Sequence, residues 1–170
     1  MTKDNYPAQD RGSDDLWADF DRASREVSSG VEISVQLPAD RDELLKFVRA
    51  MLQDKFGRQP FVDEDGDFLV DHLGQKVWVS VRRDNPVVMV FARVARGVYS
   101  RRATEVELGI LNRQHLGVKW TLVERDVWLE SSAVALPFVS FQLSMLLDNF
   151  FEALSSTRDD LAYRTGAKVA

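Results

Sequence analysis

The residues best suited to metal chemistry in this 170-residue chain form one acidic run, Asp63-Glu-Asp-Gly-Asp67. Its alternating carboxylates are typical of a calcium-binding loop. Such a loop lies between helices and closes on an acidic ligand, whereas the flanking pattern here is strand-like and Gly74 stands at the closing position. Asp65-Gly66 is also a favoured hairpin dipeptide. We therefore predict a solvated hairpin turn and no metal site.

The candidate catalytic residues are isolated from one another. His72 and His115 are the only histidines and fall in different predicted elements. A catalytic or metal-bound histidine needs a second ligand or an orienting carboxylate, and Asp71 would point to the opposite face of a strand from His72. Ser131-Ser132 and Ser155-Ser156 lack the glycines that frame a nucleophile elbow. We predict no catalytic residue and no cofactor, and we rank an enzyme that uses His72 as the least favoured function.

Two tryptophans indicate binding rather than catalysis. Trp78 interrupts an alternation of valines over residues 77–81, and Trp128 interrupts the apolar pair within 127–129. If the valines face the core, both tryptophans lie on the sheet surface away from the helices. Aromatic side chains in such a position often anchor a partner, because they bury a large area at little entropic cost. The alternative is that the tryptophan side is the core.

Composition excludes several classes of function. A content of 45% hydrophobic and 29% charged residues is that of an ordinary soluble domain. The net charge of −5 offers no basic field to a nucleic acid. The chain has no cysteine, which is typical of a cytosolic protein. It also shows no signal-peptide core and no run approaching about 20 apolar residues. We expect a cytoplasmic protein that binds neither nucleic acid nor membrane.

The elements that position these residues follow from hydrophobic periodicity. We predict a flexible tail over 1–12, then a single domain over 13–157 that opens with an extra helix and a short strand, and a C-terminal tail over 158–170. The fold class is α+β, an antiparallel sheet with helices mainly on one face. The core elements, in the order α-β-β-β-α-β-β-α, are helix 40–56, a strand segment 61–73 with a turn, strands 75–83 and 87–94, helix 103–116, strands 118–122 and 127–130, and helix 138–154.

The closing helix is apolar on more than one face, so it needs cover from its own sheet and from something else. The residues predicted to face the sheet are Val139, Leu143, Leu146 and Phe150. The residues predicted to bind a partner or a second copy are Phe138, Phe141, Met145 and Phe151, together with Trp78 and Trp128.

Four segments carry a resemblance to known proteins: Glu105–Asn112, Val118–Leu122, Val127–Glu130 and Leu136-Pro137. With the order of elements, they resemble the class I type III secretion chaperones and the related YbjN proteins, over residues 40–154. The chain is similar to the actinobacterial peptide-binding chaperone-like branch of that group. The resemblance implies a homodimeric, non-enzymatic chaperone or adaptor. It would hold an extended segment of a client protein in a hydrophobic groove or at a sheet edge.

A small-ligand sensor or regulatory protein is the alternative function, in which an apolar pocket holds a metabolite. The two functions differ in what would co-purify with the protein, a polypeptide or a small mass. The leading segment 13–37 lies outside the common pattern and could cover the groove or a neighbouring subunit.

Overall fold

A computed structural model describes residues 34–170, in which an antiparallel sheet carries three helices on one face. The tail expected over 1–12 and the first expected helix lie outside the described residues. Only Val35–Gln36 of the expected leading strand is described as a strand. The predicted α+β fold class is confirmed.

The elements of the described residues are as follows. The helices are α1 (Arg41–Phe56), α2 (Arg101–Gln114) and α3 (Ser140–Thr165). The strands are β1 (Val35–Gln36), β2 (Phe61–Val62), β3 (Phe68–His72), β4 (Gln75–Val81), β5 (Val87–Arg96), β6 (Lys119–Val123), β7 (Asp126–Val134), β8 (Phe138–Val139) and β9 (Lys168–Val169). Within residues 34–170 the main sheet has the order β2-β3-β4-β5-β7-β6, with β9 beside β5, and β1 pairs separately with β8.

The face of the sheet that carries the alternating valines of β4 packs in the core. Val77, Val79 and Val81 are buried, and Val79 lies opposite the buried Val90 of β5. Successive side chains of a strand point to opposite faces, so Trp78 lies on the face away from the helices. The predicted phase of β4 is therefore correct, and the inverted phase is excluded.

Helix α1 begins and ends at the residues that the sequence indicates. Asp40 is its N-cap, with Oδ1 accepting a hydrogen bond from Glu43 N at 2.8 Å. Gly57 ends it in the left-handed region at φ 65°. The apolar stripe between these caps packs against the sheet through Leu44, Val48, Met51 and Leu52.

Helix α3 is covered on three sides by its own chain. It packs on the sheet, α1 lies along one flank and α2 along the other. Lys55 Nζ of α1 is 2.7 Å from Asp148 Oδ1, and Arg164 Nη1 is 2.6 Å from Glu107 Oε2 of α2. Helices α1 and α2 therefore supply much of the second cover that the helix requires. Its large buried side chains are Leu143, Leu147, Phe150, Phe151, Leu154 and Leu161.

Two residues predicted to face a partner belong to the core instead. Phe138 is 2% exposed, lies in β8 and stacks on Phe47 with ring centroids 5.8 Å apart. Phe151 is 7% exposed and packs between Phe56 and His72. The prediction was wrong for both, because helical spacing alone does not show which elements flank a helix.

The remaining residues assigned to the closing helix differ in exposure, and one of them, Val139, precedes the helix. Phe141 and Met145 are 43% and 54% exposed, on the side of α3 that faces away from the sheet. Their binding to a partner stays a prediction. Of the residues expected to face the sheet, Leu143 and Phe150 are buried, Leu146 is half-buried against the core, and Val139 lies in β8.

The C-terminal tail predicted over 158–170 is instead structured. The charged run Arg158-Asp159-Asp160 is typical of a solvated tail. The hydroxyls of Ser155 and Ser156, just before it, donate to carbonyls one turn earlier, at 2.7 and 2.8 Å, as in a continuous helix. Helix α3 therefore continues through the buried Leu161 to Gly166, which ends it at φ 65°. Strand β9 then pairs with β5. The described domain accordingly does not end at residue 157.

A matched pair of substitutions tests the two environments of the α3 region. Phe138→Ala leaves a cavity between β8 and α1, and we expect it to lower the free energy of unfolding by about 3 to 5 kcal/mol. Phe141→Ala removes an exposed ring and should change it by no more than about 0.5 kcal/mol in the monomer. Urea unfolding followed by circular dichroism measures both. Equal losses for the two variants would contradict this packing.

Candidate functional site: the outer face of the sheet

The acidic run forms a turn, as predicted. Asp63 Oδ1 accepts hydrogen bonds from Asp65 N and Asp67 N at 3.1 and 2.9 Å, so the carboxylate holds the turn between β2 and β3. Among residues 34–170, no group of three or more His, Asp or Glu side chains is arranged to hold a metal ion.

His72 serves as a packing residue between β3 and α3. Its ring stacks on Phe151 with centroids 4.2 Å apart, and Nε2 lies 2.8 Å from Ser155 Oγ. Burial lowers the pKa of His72 from its ordinary value, and the Arg158 guanidinium lowers it further, whereas Asp71 acts in the opposite direction. This environment favours a neutral ring that holds the helix against the sheet.

Three aromatic side chains meet on the outer face of the sheet, the face opposite the helices. The rings of Trp78 and Phe91 stack with centroids 5.7 Å apart, and Trp128 lies 6.4 and 6.3 Å from them. All three are half-buried, and no helix within residues 34–170 covers them. We call these three residues the aromatic cluster. The sequence reading placed both tryptophans correctly but missed Phe91, because β5 is apolar on both faces.

The aromatic cluster is the centre of a row of side chains that crosses six strands. Cross-strand pairing links Phe61 to Leu69, Leu69 to Trp78, Trp78 to Phe91, Phe91 to Glu130, and Glu130 to Lys119. Strands lie about 4.8 Å apart, so the row spans about 24 Å. It is apolar from β2 to β5. At its far end Lys119 Nζ and Glu130 Oε1 form an ion pair at 3.3 Å.

A cleft lies at each end of this row. The apolar end adjoins a cleft of about 260 Å³ and the charged end one of about 540 Å³. Both clefts are large enough to receive side chains of a bound molecule. The first is lined by Phe56, Pro60, Phe61, Leu69 and Lys76, among others, and the second by Arg82, Met89, Lys119, Glu130 and Ser132, among others.

Charged side chains surround the aromatic cluster. The Arg93 guanidinium lies 5.9 Å from the Trp128 ring centroid, a cation–π distance, and its Nη1 is 3.5 Å from Asp126 Oδ2. Lys76 and Arg82 stand on the same outer face and are exposed. An apolar centre with a charged rim is the usual anatomy of a protein–protein interface.

The six residues predicted to bind a partner thus fall into three groups. Trp78 and Trp128 lie together on the outer face of the sheet. Phe141 and Met145 lie on α3, on the opposite side of the sheet. Phe138 and Phe151 are buried. The structure therefore presents two separate candidate surfaces, of which the outer face carries the larger set of aromatic residues.

Comparison with protein families shows the family to which the chain belongs. Residues 42–170 match the family described as T3SS (YopN, CesT) and YbjN peptide-binding chaperone 1. The chain belongs to this family, and the predicted resemblance is confirmed. The match also extends beyond residue 154, through the part of α3 that the sequence reading had assigned to a tail.

Solved structures with the same fold include two from chaperone complexes. A chain from the Yersinia pestis type III secretion chaperone SycH with a fragment of YscM2 is 14% identical, covering 66% of this chain and 98% of that chain at TM-score 0.51. A chain from the HopA1–SchA chaperone–effector complex is 10% identical, covering 72% and 99% at TM-score 0.56. YbjN from E. coli is 15% identical, covering 74% and 96% at TM-score 0.58. At these identities the likeness shows the fold alone.

Comparison with the curated proteins gave no significant match. Within residues 34–170, no helix combines the length and apolar character needed to cross a membrane.

The lowered pKa of His72 predicts a pH-dependent stability. The unfolded chain binds the proton more readily, so this stabilisation is fully present above about pH 6.5 and is lost as pH falls through the lower pKa of the folded state. We expect His72→Phe, which retains a ring against Phe151, to reduce the decline in unfolding free energy between about pH 7.5 and 5.5. Ser155→Ala keeps the imidazole, so its unfolding free energy should still decline over this pH range. Identical pH profiles for wild type and His72→Phe would refute this assignment.

Proposed function

We propose that this protein is a non-enzymatic chaperone or adaptor that binds a segment of a client polypeptide on the outer face of its sheet, in the cytoplasm. The observation that carries the proposal is the aromatic cluster of Trp78, Phe91 and Trp128. Membership in a peptide-binding chaperone family supports it. So does the fold shared with SycH and with a chain of the HopA1–SchA complex.

The size and chemistry of the outer face suit a polypeptide. A buried aromatic side chain contributes 150 to 250 Å² of contact, and a stable interface takes about 800 Å² from each partner. The three rings of the aromatic cluster are already half-buried, so each offers only a part of that contact, and Leu69, Met89 and the exposed Phe61 extend the apolar centre around them. The row of about 24 Å matches about seven residues of an extended segment. Side chains of that segment would enter the clefts at its two ends.

A small-ligand sensor is the second candidate function. The cleft of about 540 Å³ at the charged end of the row falls within the size range of small-molecule sites. The same cleft is lined by mixed polar and charged side chains rather than by a mainly apolar wall, which favours the client-binding function. Native mass spectrometry of the protein from its own cells separates the two. A bound polypeptide supports the chaperone, and a bound mass of metabolite size supports the sensor.

Replacement of the two tryptophans of the aromatic cluster should weaken client binding. We expect the double variant Trp78→Ser with Trp128→Ser to lose at least about tenfold in affinity for the client that wild type retains, because two anchors of about 1 to 2 kcal/mol each are removed. The measurement is quantitative mass spectrometry of that one identified polypeptide after affinity purification, followed by titration of the purified pair.

The matched control is Val106→Ser with Tyr163→Ser, which removes two exposed apolar or aromatic side chains far from the outer face. This control should bind the client with the affinity of wild type. Circular dichroism should show that both double variants are folded. Unchanged client affinity in the tryptophan double variant would rule out the outer face as the binding site.

We also propose that the protein is a homodimer, with α3 at the interface. Phe141 and Met145 lie one turn apart on its exposed side, and the exposed Val35 and Leu136 lie near its start. Val35 pairs with Val139, the residue before α3, which places β1 beside the start of the helix. The same patch on two copies can meet across a two-fold axis.

Charge placed in this patch should dissociate the dimer. We expect wild type to sediment as a dimer at micromolar concentration and Phe141→Asp with Met145→Asp to sediment as a monomer, because apposed carboxylates would lose hydration and repel one another. Val106→Asp with Leu116→Asp, on the exposed side of α2 and beyond its end, should remain dimeric. A monomeric wild type would exclude the homodimer, and dissociation by the control double alone would move the interface to α2.

A further inference from the structure

The side chain of Asn112, near the end of α2, lies against the outer edge of β6. Its Nδ2 donates to Trp120 O at 3.0 Å, and its Oδ1 accepts from Trp120 N at 2.7 Å. A side-chain amide carries the same donor and acceptor as a peptide unit. Asn112 therefore fills both hydrogen-bonding positions that a neighbouring strand would use at Trp120.

Among residues 34–170, β6 is the last strand of the main sheet on this side. In an antiparallel ladder, alternate residues direct their N–H and C=O groups away from the neighbouring strand. Trp120 is one such residue on the outer edge of β6, and Leu122 is the next. Edge groups of this kind are a template for pairing with another chain, and natural proteins block them. At the opposite edge, β2 is only two residues long, which also limits pairing.

We propose that Asn112 is a positioning residue that closes the β6 edge against strand pairing with a second copy of this chain. Both hydrogen bonds go to a single residue, as they would from a neighbouring strand. The apolar contacts of α2 already hold the helix, since Leu108 and Leu111 are buried in the core. The amide is thus needed for the edge rather than for attachment of the helix. This closure is independent of client binding on the outer face.

Disulfide trapping tests the closure, because the chain contains no cysteine. If two β6 edges pair about a two-fold axis, Trp120 lies opposite Leu122 of the second copy, and the two Thr121 residues face each other. Non-hydrogen-bonded pairs of this kind bring Cα atoms to about 4.5 Å, close enough for a disulfide. Thr121→Cys therefore reports edge pairing directly.

We expect Asn112→Ala with Thr121→Cys to form several-fold more disulfide-linked dimer under mild oxidation than Thr121→Cys alone. Asn112→Asp with Thr121→Cys should be intermediate, because a carboxylate still accepts from Trp120 N but cannot donate to Trp120 O. Asn112→Ala with Gln53→Cys, an exposed site on α1, is the control and should show no increase.

Amide hydrogen exchange supplies the second measurement. The Trp120 amide should be protected in wild type, exchange faster in dilute Asn112→Ala, and regain protection as the variant is concentrated. Suppose that Asn112→Ala lowers thermal stability but does not increase cross-linking through Thr121→Cys. This result would overturn the proposal, because it is expected of an asparagine with a purely structural role. If Asn112→Ala fails to fold, Asn112→Asp with Thr121→Cys decides the question. Cross-linking no greater than that of Thr121→Cys alone would then overturn the proposal.

Discussion

A sheet has two faces, and the helices of residues 34–170 fill only one of them. The physical reason lies in α3, whose apolar side chains extend around much of its circumference. These side chains are buried because α1 and α2 lie on the two flanks of α3 and the sheet lies beneath it. The ion pairs of Lys55 with Asp148 and of Arg164 with Glu107 mark these flanks. This arrangement places every described helix on the same face of the sheet. Trp78, Phe91 and Trp128 lie on the other face.

A protein that keeps an apolar face open must still avoid indiscriminate association. Here the open face has a charged rim, with Arg93 against Trp128 and Lys119 paired with Glu130. The adjoining β6 edge, where backbone groups would recruit any strand, is occupied by Asn112. Side-chain recognition on the face is selective, because it depends on the fit of a partner's residues, whereas backbone pairing at an edge is not. If the client binds on the outer face as proposed, the fold separates a selective surface from a closed edge.

Local signals in the sequence predicted the parts of the structure that depend on local physics. The N-cap at Asp40, the left-handed Gly57 and the alternation over 77–81 placed α1 and the phase of β4 correctly, because each reflects hydrogen bonds or side-chain direction within a few residues.

The errors concern tertiary neighbours. Phe138 and Phe151 were assigned to a partner because the spacing of apolar residues does not reveal that α1 packs beside α3. Residues 158–165 were assigned to a tail because the charged run Arg158-Asp159-Asp160 is typical of a solvated segment, although Leu161 beside it is buried in the core. Phe91 was missed because a strand apolar on both faces gives no phase.

Site-specific photo-cross-linking in the native cell tests the central claim most directly, with a photoreactive phenylalanine analogue at Phe91. If the outer face is the binding surface, irradiation will join this position covalently to one polypeptide partner, whereas the same analogue at Tyr163 will not capture it. Cross-linking of that partner from Tyr163 but not from Phe91, or no captured polypeptide at Phe91, would contradict the account.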